Sequence, residues 1–274
     1  MTDEIGLQAH TGGYLTNYHD LGAGEPLVLL HGSGPGVSAW ANWRGVAPAF
    51  AENFRVVMPD LVGFGYTAEP ADFSFEFMHS WVAQVDALLD ALALDSVNLV
   101  GNSFGGAVAL AYVIARPERV RRLVLMGSVG TTGELTEGLD QVWGYTPSLD
   151  NMRGVLDVMA YNRDLATDEL AQLRYEASLR PGVQERFARL FPAPRQRWLD
   201  AVAQRDEDIA AIAQPTLLLH GRDDRVIPVA MSQRLHSLIR DSQFHSFGCC
   251  GHWTQIEQAT RFVSLVTQFC QEPQ

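Results

Sequence analysis

The sequence predicts an α/β protein: a mostly parallel, doubly wound sheet covered by helices and interrupted by a helical insertion. Three observations carry this. Short apolar runs ending at glycine turns recur along the 274 residues, helical patterns alternate with them, and from about Thr132 to Asp206 the alternation gives way to helical patterns alone. Runs apolar at every position, rather than at every second one, belong to strands buried on both faces, as in a parallel sheet.

The runs are Leu27 to Gly32, Phe54 to Pro59, Val97 to Gly101, Leu123 to Gly127 and Thr216 to Gly221, with a strand-like stretch from Gln243 to Phe247. Between them, Trp81 to Leu89 and Gly106 to Tyr112 carry helical patterns. Such alternation is what a doubly wound fold requires. Within the insertion, Leu149 to Tyr161 and Asp168 to Leu179 are helical, punctuated by Pro181 and Pro192. The expected organisation is one core built from residues 1–131 and 206–274, with residues 132–205 inserted as a helical lid.

Composition narrows the function classes. Apolar residues make up 47% and charged residues 19%, enough for a sizeable core and too few charges for a disordered chain. With 20 Lys and Arg against 32 Asp and Glu, the net charge is −12, which repels phosphate backbones and anionic membranes. Nucleic acid and membrane are therefore not expected partners, and an anionic substrate would need a local cation. Cys249, Cys250 and Cys270 are a poor disulfide framework and suit a reducing compartment. The stretch Met1 to Gly6 has neither the basic nor the apolar part of a signal peptide, and no apolar run reaches bilayer length, so a cytoplasmic protein is expected.

Chemistry enters at Gly101-Asn102-Ser103-Phe104-Gly105, which follows one strand and opens a helix. That context makes Ser103 the nucleophile of the α/β-hydrolase fold, because a side chain at 101 or 105 would collide within so tight a turn. A serine hydroxyl needs a base, and the base needs a carboxylate to orient it. His252, in the loop after the last strand-like stretch, is the candidate base; His10, His19, His79, His236 and His245 read as surface or packing residues, and His31 and His220 as local hydrogen-bonding groups. Asp223 and Asp224 follow the strand ending at Gly221, and since only one can point inward, Asp224 is assigned as the acid. The order Ser103, Asp224, His252 is the order of this fold. The glycine-rich His31 to Gly36 loop offers free backbone donors, and the N–H groups of Ser33 and Phe104 are assigned to the oxyanion hole. No metal cluster or cofactor motif is apparent.

The segments His31 to Arg44, Gly101 to Gly106, Leu173 to Ser178 and Cys250 to Gln255 resemble the meta-cleavage product hydrolases, which cleave carbon-carbon bonds in bacterial aromatic degradation. The similarity covers nearly the whole chain and looks closest to the branch acting on 2-hydroxymuconate semialdehyde and 2-hydroxy-6-oxohepta-2,4-dienoate. It implies that Asn42, Asn102, Arg174 and Trp253 bind the carboxylate and enol end of a small anionic substrate. It places the 6-acyl group against Val129, Leu139, Trp143, Leu199, Val226 and Ile227. Val129 stands where some relatives have alanine, which shortens the pocket; one methylene there is worth about 1–3 kcal/mol of discrimination and favours a small acyl group. The implied reaction ketonises the dienol with help from His252, after which Ser103, or a water it helps to activate, attacks the C6 carbonyl. The products would be 2-hydroxypenta-2,4-dienoate and a small acid. The resemblance also implies a homo-oligomer. Two other readings remain at this point: a serine esterase with the same triad and no carboxylate clamp, and a non-catalytic receptor of the same fold.

Overall fold

The computed structural model describes residues 4–69 and 75–273, so Met1 to Asp3 of the amino-terminal stretch read above lie outside it. Eight strands form one sheet: β1 (Leu7–Thr11), β2 (Tyr14–Gly22), β3 (Pro26–Leu30), β4 (Arg55–Pro59), β5 (Val97–Asn102), β6 (Val120–Met126), β7 (Thr216–Gly221) and β8 (Ser242–Phe247). Their order across the sheet is β1-β2-β4-β3-β5-β6-β7-β8. β1 and β2 pair antiparallel, as do β2 and β4, and every other pair is parallel. The α/β-hydrolase fold expected from the sequence is the one observed.

Period-two alternation explains why the strands are apolar throughout. Val28, Leu30, Leu99, Leu123 and Leu125 face one core, while Leu27, Leu29, Val100, Val124 and Met126 face the other. Trp43, Phe50 and Phe262 close the second core. Against the first lies Trp81, whose indole N–H donates to Val62 O at 2.8 Å and whose ring meets Phe104 edge-on at 4.6 Å. The β1–β2 hairpin did not figure in the expected strands. Gly12 and Gly13 link it with φ of 57° and 101°, the two-residue connection that matches strand twist, and that Gly-Gly pair was the available signal.

The chain runs from β3 to β4 on one side and then crosses to β5 on the other, so the loops after β3 and β5 diverge. Such a switch opens a crevice beyond the carboxyl ends of the strands, where ligands bind in open α/β sheets. Between β6 and β7 every helix or strand element is helical: Glu137–Trp143, Leu149–Met159, Arg163–Leu165, Asp168–Ser178, Val183–Leu190, Gln196–Val202 and Asp206–Ala210. Thr136, Ser148 and Thr167 cap three of these helices, each hydroxyl accepting a backbone N–H of the first turn. Among the described residues no helix is long and apolar enough to cross a membrane.

Asp60, just past β4, ties the loops beside the crevice together. Its carboxylate accepts the N–H of Ala39 at 2.6 Å, that of Tyr66 at 2.8 Å and the Asn17 side-chain N–H at 2.8 Å. Burial nonetheless outweighs these bonds and pushes its pKa from 3.8 up to about 6. A carboxyl whose folded pKa is raised holds its proton longer when folded, so its contribution to stability falls as pH rises from 3.8 to about 6 and is level above. Urea unfolding of wild type and Asp60→Asn across this range should give a difference that declines with pH, by at most about 1.4 kcal/mol per pH unit. A difference that grows with pH would contradict this account.

Candidate active site

Ser103 sits alone between β5 and the helix Phe104–Ala115, at φ 54° and ψ −116°. A non-glycine residue reaches that region only when its surroundings over-determine it. They do so here. The Ser103 N–H donates to Met126 O at 2.8 Å, and Ser103 O accepts the N–H of Gly106 at 3.0 Å. A Cβ at Gly101 would stand 2.5 Å from Gly105 O, and one at Gly105 would stand 2.5 Å from Leu30 O and His31 O. The glycines are thus required by close backbone approach on both sides of the serine.

Asp224 and Asp223 part company after β7. Asp224 is buried: its Oδ1 accepts the N–H groups of Val226 and Ile227, both at 2.8 Å, and its Oδ2 accepts His252 Nδ1–H at 2.7 Å. His220 Nε2, 3.2 Å from the same Oδ2, adds a further donor. Burial alone would raise the pKa of Asp224, but the His252 ring and the hydrogen bonds from His220 and His252 hold it below the usual carboxylate range. Asp223 turns outward, where its Oδ2 accepts the N–H of Cys250 at 3.4 Å and lies 3.9 Å from Arg222. With Nδ1 donating to Asp224, the other nitrogen of His252 is unprotonated in the neutral ring.

Ser103 and His252 both approach the end of β6, with no hydrogen bond between their side chains among the described residues. Met126 O takes the Ser103 N–H, and a Cβ on the next residue, Gly127, would lie 3.3 Å from His252 Nδ1. From the helical insertion, Met159 O accepts the N–H of His252 at 2.8 Å and that of Trp253 at 3.2 Å. A Cβ at Gly251 would come within 2.8 Å of that same oxygen, so Gly251 lets the insertion dock on the histidine loop.

Ser33 and Phe104 have backbone N–H groups with no acceptor among the described residues. Phe104 is the first residue of its helix, where such a donor is orphaned by geometry. The Ser33 loop is braced twice. His31 Nδ1–H donates to Gly32 O at 2.8 Å while its Nε2 accepts the Leu61 N–H at 2.9 Å, and Trp143 Nε1–H donates to Ser33 Oγ at 2.8 Å. Burial, reinforced by Arg174 and only partly opposed by the Gly32 bond, pushes the His31 pKa down to about 4, so this imidazole is a neutral brace.

A cavity of about 60 Å³ lies among these groups, lined on its polar side by Ser33, Asn42, Asn102, Arg174, His252 and Trp253. Asn42 Oδ1 accepts the Gly32 N–H at 3.5 Å, while Asn42 Nδ2 is buried without a partner among the described residues. Asn102 Nδ2 donates to Met126 O at 3.3 Å. Arg174, half-buried on the helix Asp168–Ser178, has no ion pair among the described residues. Burial, with repulsion from Arg180 and Arg44 and support from Glu4, pushes its pKa down to about 10, which leaves it cationic at neutral pH. Among the described residues, no three His, Cys, Asp or Glu side chains are arranged to hold a metal ion.

Val129, Leu139, Trp143, Leu199, Val226 and Ile227 are all buried in one core cluster, and none lines this cavity. Three of them serve neighbours instead: Trp143 holds Ser33, and the backbones of Val226 and Ile227 hold Asp224. The apolar wall is formed by Met152, Val155, Leu156 and Met159, on one face of the helix Leu149–Met159. Their i, i+3, i+4, i+7 spacing marks a buried face in the sequence, without saying whether core or cavity lies opposite. His220, read as a local hydrogen-bonding group, reaches Asp224 as well as Ser232 Oγ, at 2.7 Å, and Ile227 O, at 2.9 Å.

Residues 25–259 match the family model of the alpha/beta hydrolase fold. The chain is 60% identical over 266 residues to the 2-hydroxy-6-oxo-2,4-heptadienoate hydrolase of Pseudomonas putida F1, covering 97% of this chain and 96% of that protein. It is 55% identical over 269 residues to the 2-hydroxymuconate semialdehyde hydrolase of Pseudomonas sp. CF600, covering 98% and 95%. Its structure superposes with a TM-score of 0.95 on the meta-cleavage product hydrolase CumD of Pseudomonas fluorescens IP01, solved as a serine-to-alanine mutant complexed with acetates; that protein is 54% identical, with 97% of each chain covered. The family model, the two sequences and the superposed structure agree across almost the whole length: the chain belongs to the α/β hydrolases and, among them, to the meta-cleavage product hydrolases.

Proposed function

We propose that this enzyme hydrolyses the carbon-carbon bond next to the 6-oxo group of 2-hydroxy-6-oxohexa-2,4-dienoate-type ring-cleavage products. Its substrates would be 2-hydroxymuconate semialdehyde and short 6-alkyl analogues. One observation carries the reading: Arg174, a guanidinium without an ion pair among the described residues, and Asn42, whose buried amide N–H lacks a partner among them, line the same cavity as His252 and the Ser33 loop. A simple esterase needs the triad but no such clamp for a carboxylate. In a chain of net charge −12, a paired guanidinium is also what offsets the unfavourable field on an anion.

On this reading Arg174 and Asn42 hold the substrate carboxylate, with Asn102 and Trp253 beside the enol. Ketonisation moves the enol proton to the carbon chain with help from His252 and creates an electron sink for the bond that breaks. His252 then takes the proton of Ser103, or of a water that Ser103 helps to activate, as the C6 carbonyl is attacked, and the N–H groups of Ser33 and Phe104 stabilise the resulting oxyanion. Cleavage passes the bonding electrons to the dienoate fragment, which is protonated to 2-hydroxypenta-2,4-dienoate. Net addition of one water leaves formate or acetate as the second product. Helices of residues 132–205 act as the lid, and their Met152 to Met159 face, against a cavity of about 60 Å³, favours small 6-substituents.

The test is loss of the dienolate absorbance with 2-hydroxymuconate semialdehyde and its 6-methyl and 6-phenyl analogues, beside a simple ester. Fast loss with the small dienoates and slow loss with the phenyl one is expected; ester hydrolysis without any dienoate turnover would overturn the proposal. Arg174→Gln should lower kcat/KM for the dienoate by about 10²- to 10³-fold, mostly through KM, as removing one partner of a desolvated ion pair does. An equal loss on an uncharged ester would show that Arg174 is structural.

A further inference from the structure

A second cavity, of about 310 Å³, adjoins the catalytic one and shares Val37, Asn42, Arg174 and Trp253 with it. Its wall is mostly apolar, with Asn42 and Gln255 as neutral polar groups and three charged side chains, two cations and one acid. Arg44 is exposed and has no ion pair among the described residues. Arg174 is the shared group, and the acid, Glu4, is already paired with Arg180 at 3.0 Å. Arg44 and Arg174 also feel each other, since Arg44 is among the charges that disfavour protonation of Arg174. Two mutually repelling cations facing one cavity are relieved by an anion between them. The chain around them carries −12, so the field far from this opening repels the same anion.

We propose that this cavity is the entry vestibule for small carboxylate substrates and that Arg44 is its capture residue, holding the anion before Arg174 takes it over. The inference rests on the function proposed above for the class of substrate, though not for the geometry. Arg44 speeds encounter and does not touch the reacting carbonyl. Its effect therefore falls on kcat/KM, is strongest at low ionic strength, and fades once the Debye length drops below the width of the opening.

The experiment compares wild type, Arg44→Gln and Arg44→Lys with 2-hydroxymuconate semialdehyde at ionic strengths from about 20 mM to about 0.5 M, a range over which the Debye length shrinks severalfold. Arg44→Gln is expected to lose about 3- to 10-fold in kcat/KM at low salt, with the loss in KM and not in kcat, and to converge on wild type at high salt. Arg44→Lys should restore most of the loss, because steering needs charge rather than guanidinium shape. A loss that persists at high salt, or no loss at low salt, overturns the proposal. Association of sorbate, an unreactive hexadienoate, followed by tryptophan fluorescence in a stopped-flow instrument, gives a second readout independent of turnover. If wild type fails to cleave the semialdehyde while sorbate still associates in an Arg44- and salt-dependent way, the assigned reaction falls and the vestibule stands. Sorbate association indifferent to Arg44 sinks the vestibule whatever the reaction.

Discussion

Ser103→Ala is expected to lower kcat on 2-hydroxymuconate semialdehyde by roughly 10⁴- to 10⁶-fold, the loss seen when one member of a catalytic triad is removed. The substitution is clean on structural grounds. The Ser103 hydroxyl makes no hydrogen bond among the described residues, so alanine breaks none. The strained turn is held by main-chain bonds to Met126 and Gly106, which alanine keeps. Circular dichroism and the thermal midpoint should match wild type while turnover collapses. Because Arg174 and Asn42 are untouched, the variant should still bind the dienoate with affinity near the wild-type KM. Folded Ser103→Ala protein retaining more than about a tenth of wild-type kcat would remove Ser103 from the mechanism, since general-base assistance alone contributes 10²-fold or more.

Asp224→Asn is expected to lower kcat by about 10³- to 10⁴-fold, whereas Asp223→Asn should stay within a few-fold of wild type. The carboxylate of Asp224 is acceptor-only, and its four donors are the N–H groups of Val226 and Ile227, His252 Nδ1 and His220 Nε2. An asparagine has one acceptor oxygen. If that oxygen keeps the two backbone donors, its NH₂ faces His252 and forces Nδ1 to accept, which puts the ring proton on the other nitrogen. A histidine in that tautomer cannot take a proton from Ser103. Asp223, facing Arg222 and the Cys250 N–H, has no such hold on the ring. Comparable losses for both variants, or a larger one for Asp223→Asn, would reverse the assignment. The same kinetics read against pH should show no limb from Asp224 across the working range, because its neighbours keep it ionised well into acid.

How much of this was legible beforehand depends on the range of the constraint. The Gly101 to Gly105 elbow could be read because its requirements are local: a Cβ at either glycine meets backbone within the turn or the adjoining β3 strand. The parallel strands could be read because burial on both faces leaves a continuous apolar run, and the helices Leu149–Met159 and Asp168–Ser178 of the insertion from their helical patterns; the capping Ser148 and Thr167 before them were a further signal. The β1–β2 hairpin escaped because its strands are mixed in polarity and form no continuous apolar run, although Gly12-Gly13 marked the turn.

The sequence by itself determined the fold, a nucleophile-acid-base order with the acid at one of two adjacent aspartates, and a family resemblance that pointed to an anionic dienoate. Tertiary structure alone decided which of two adjacent carboxylates faces the histidine, which helix face walls the cavity, and that His220 joins the hold on Asp224. It also decided that Trp143 braces Ser33 and that Met159 anchors His252. The reason is physical: a strained turn or a buried strand restricts the residues that compose it. Packing across a cavity is a distance between positions far apart in the chain, and similar apolar residues satisfy it equally well on either side.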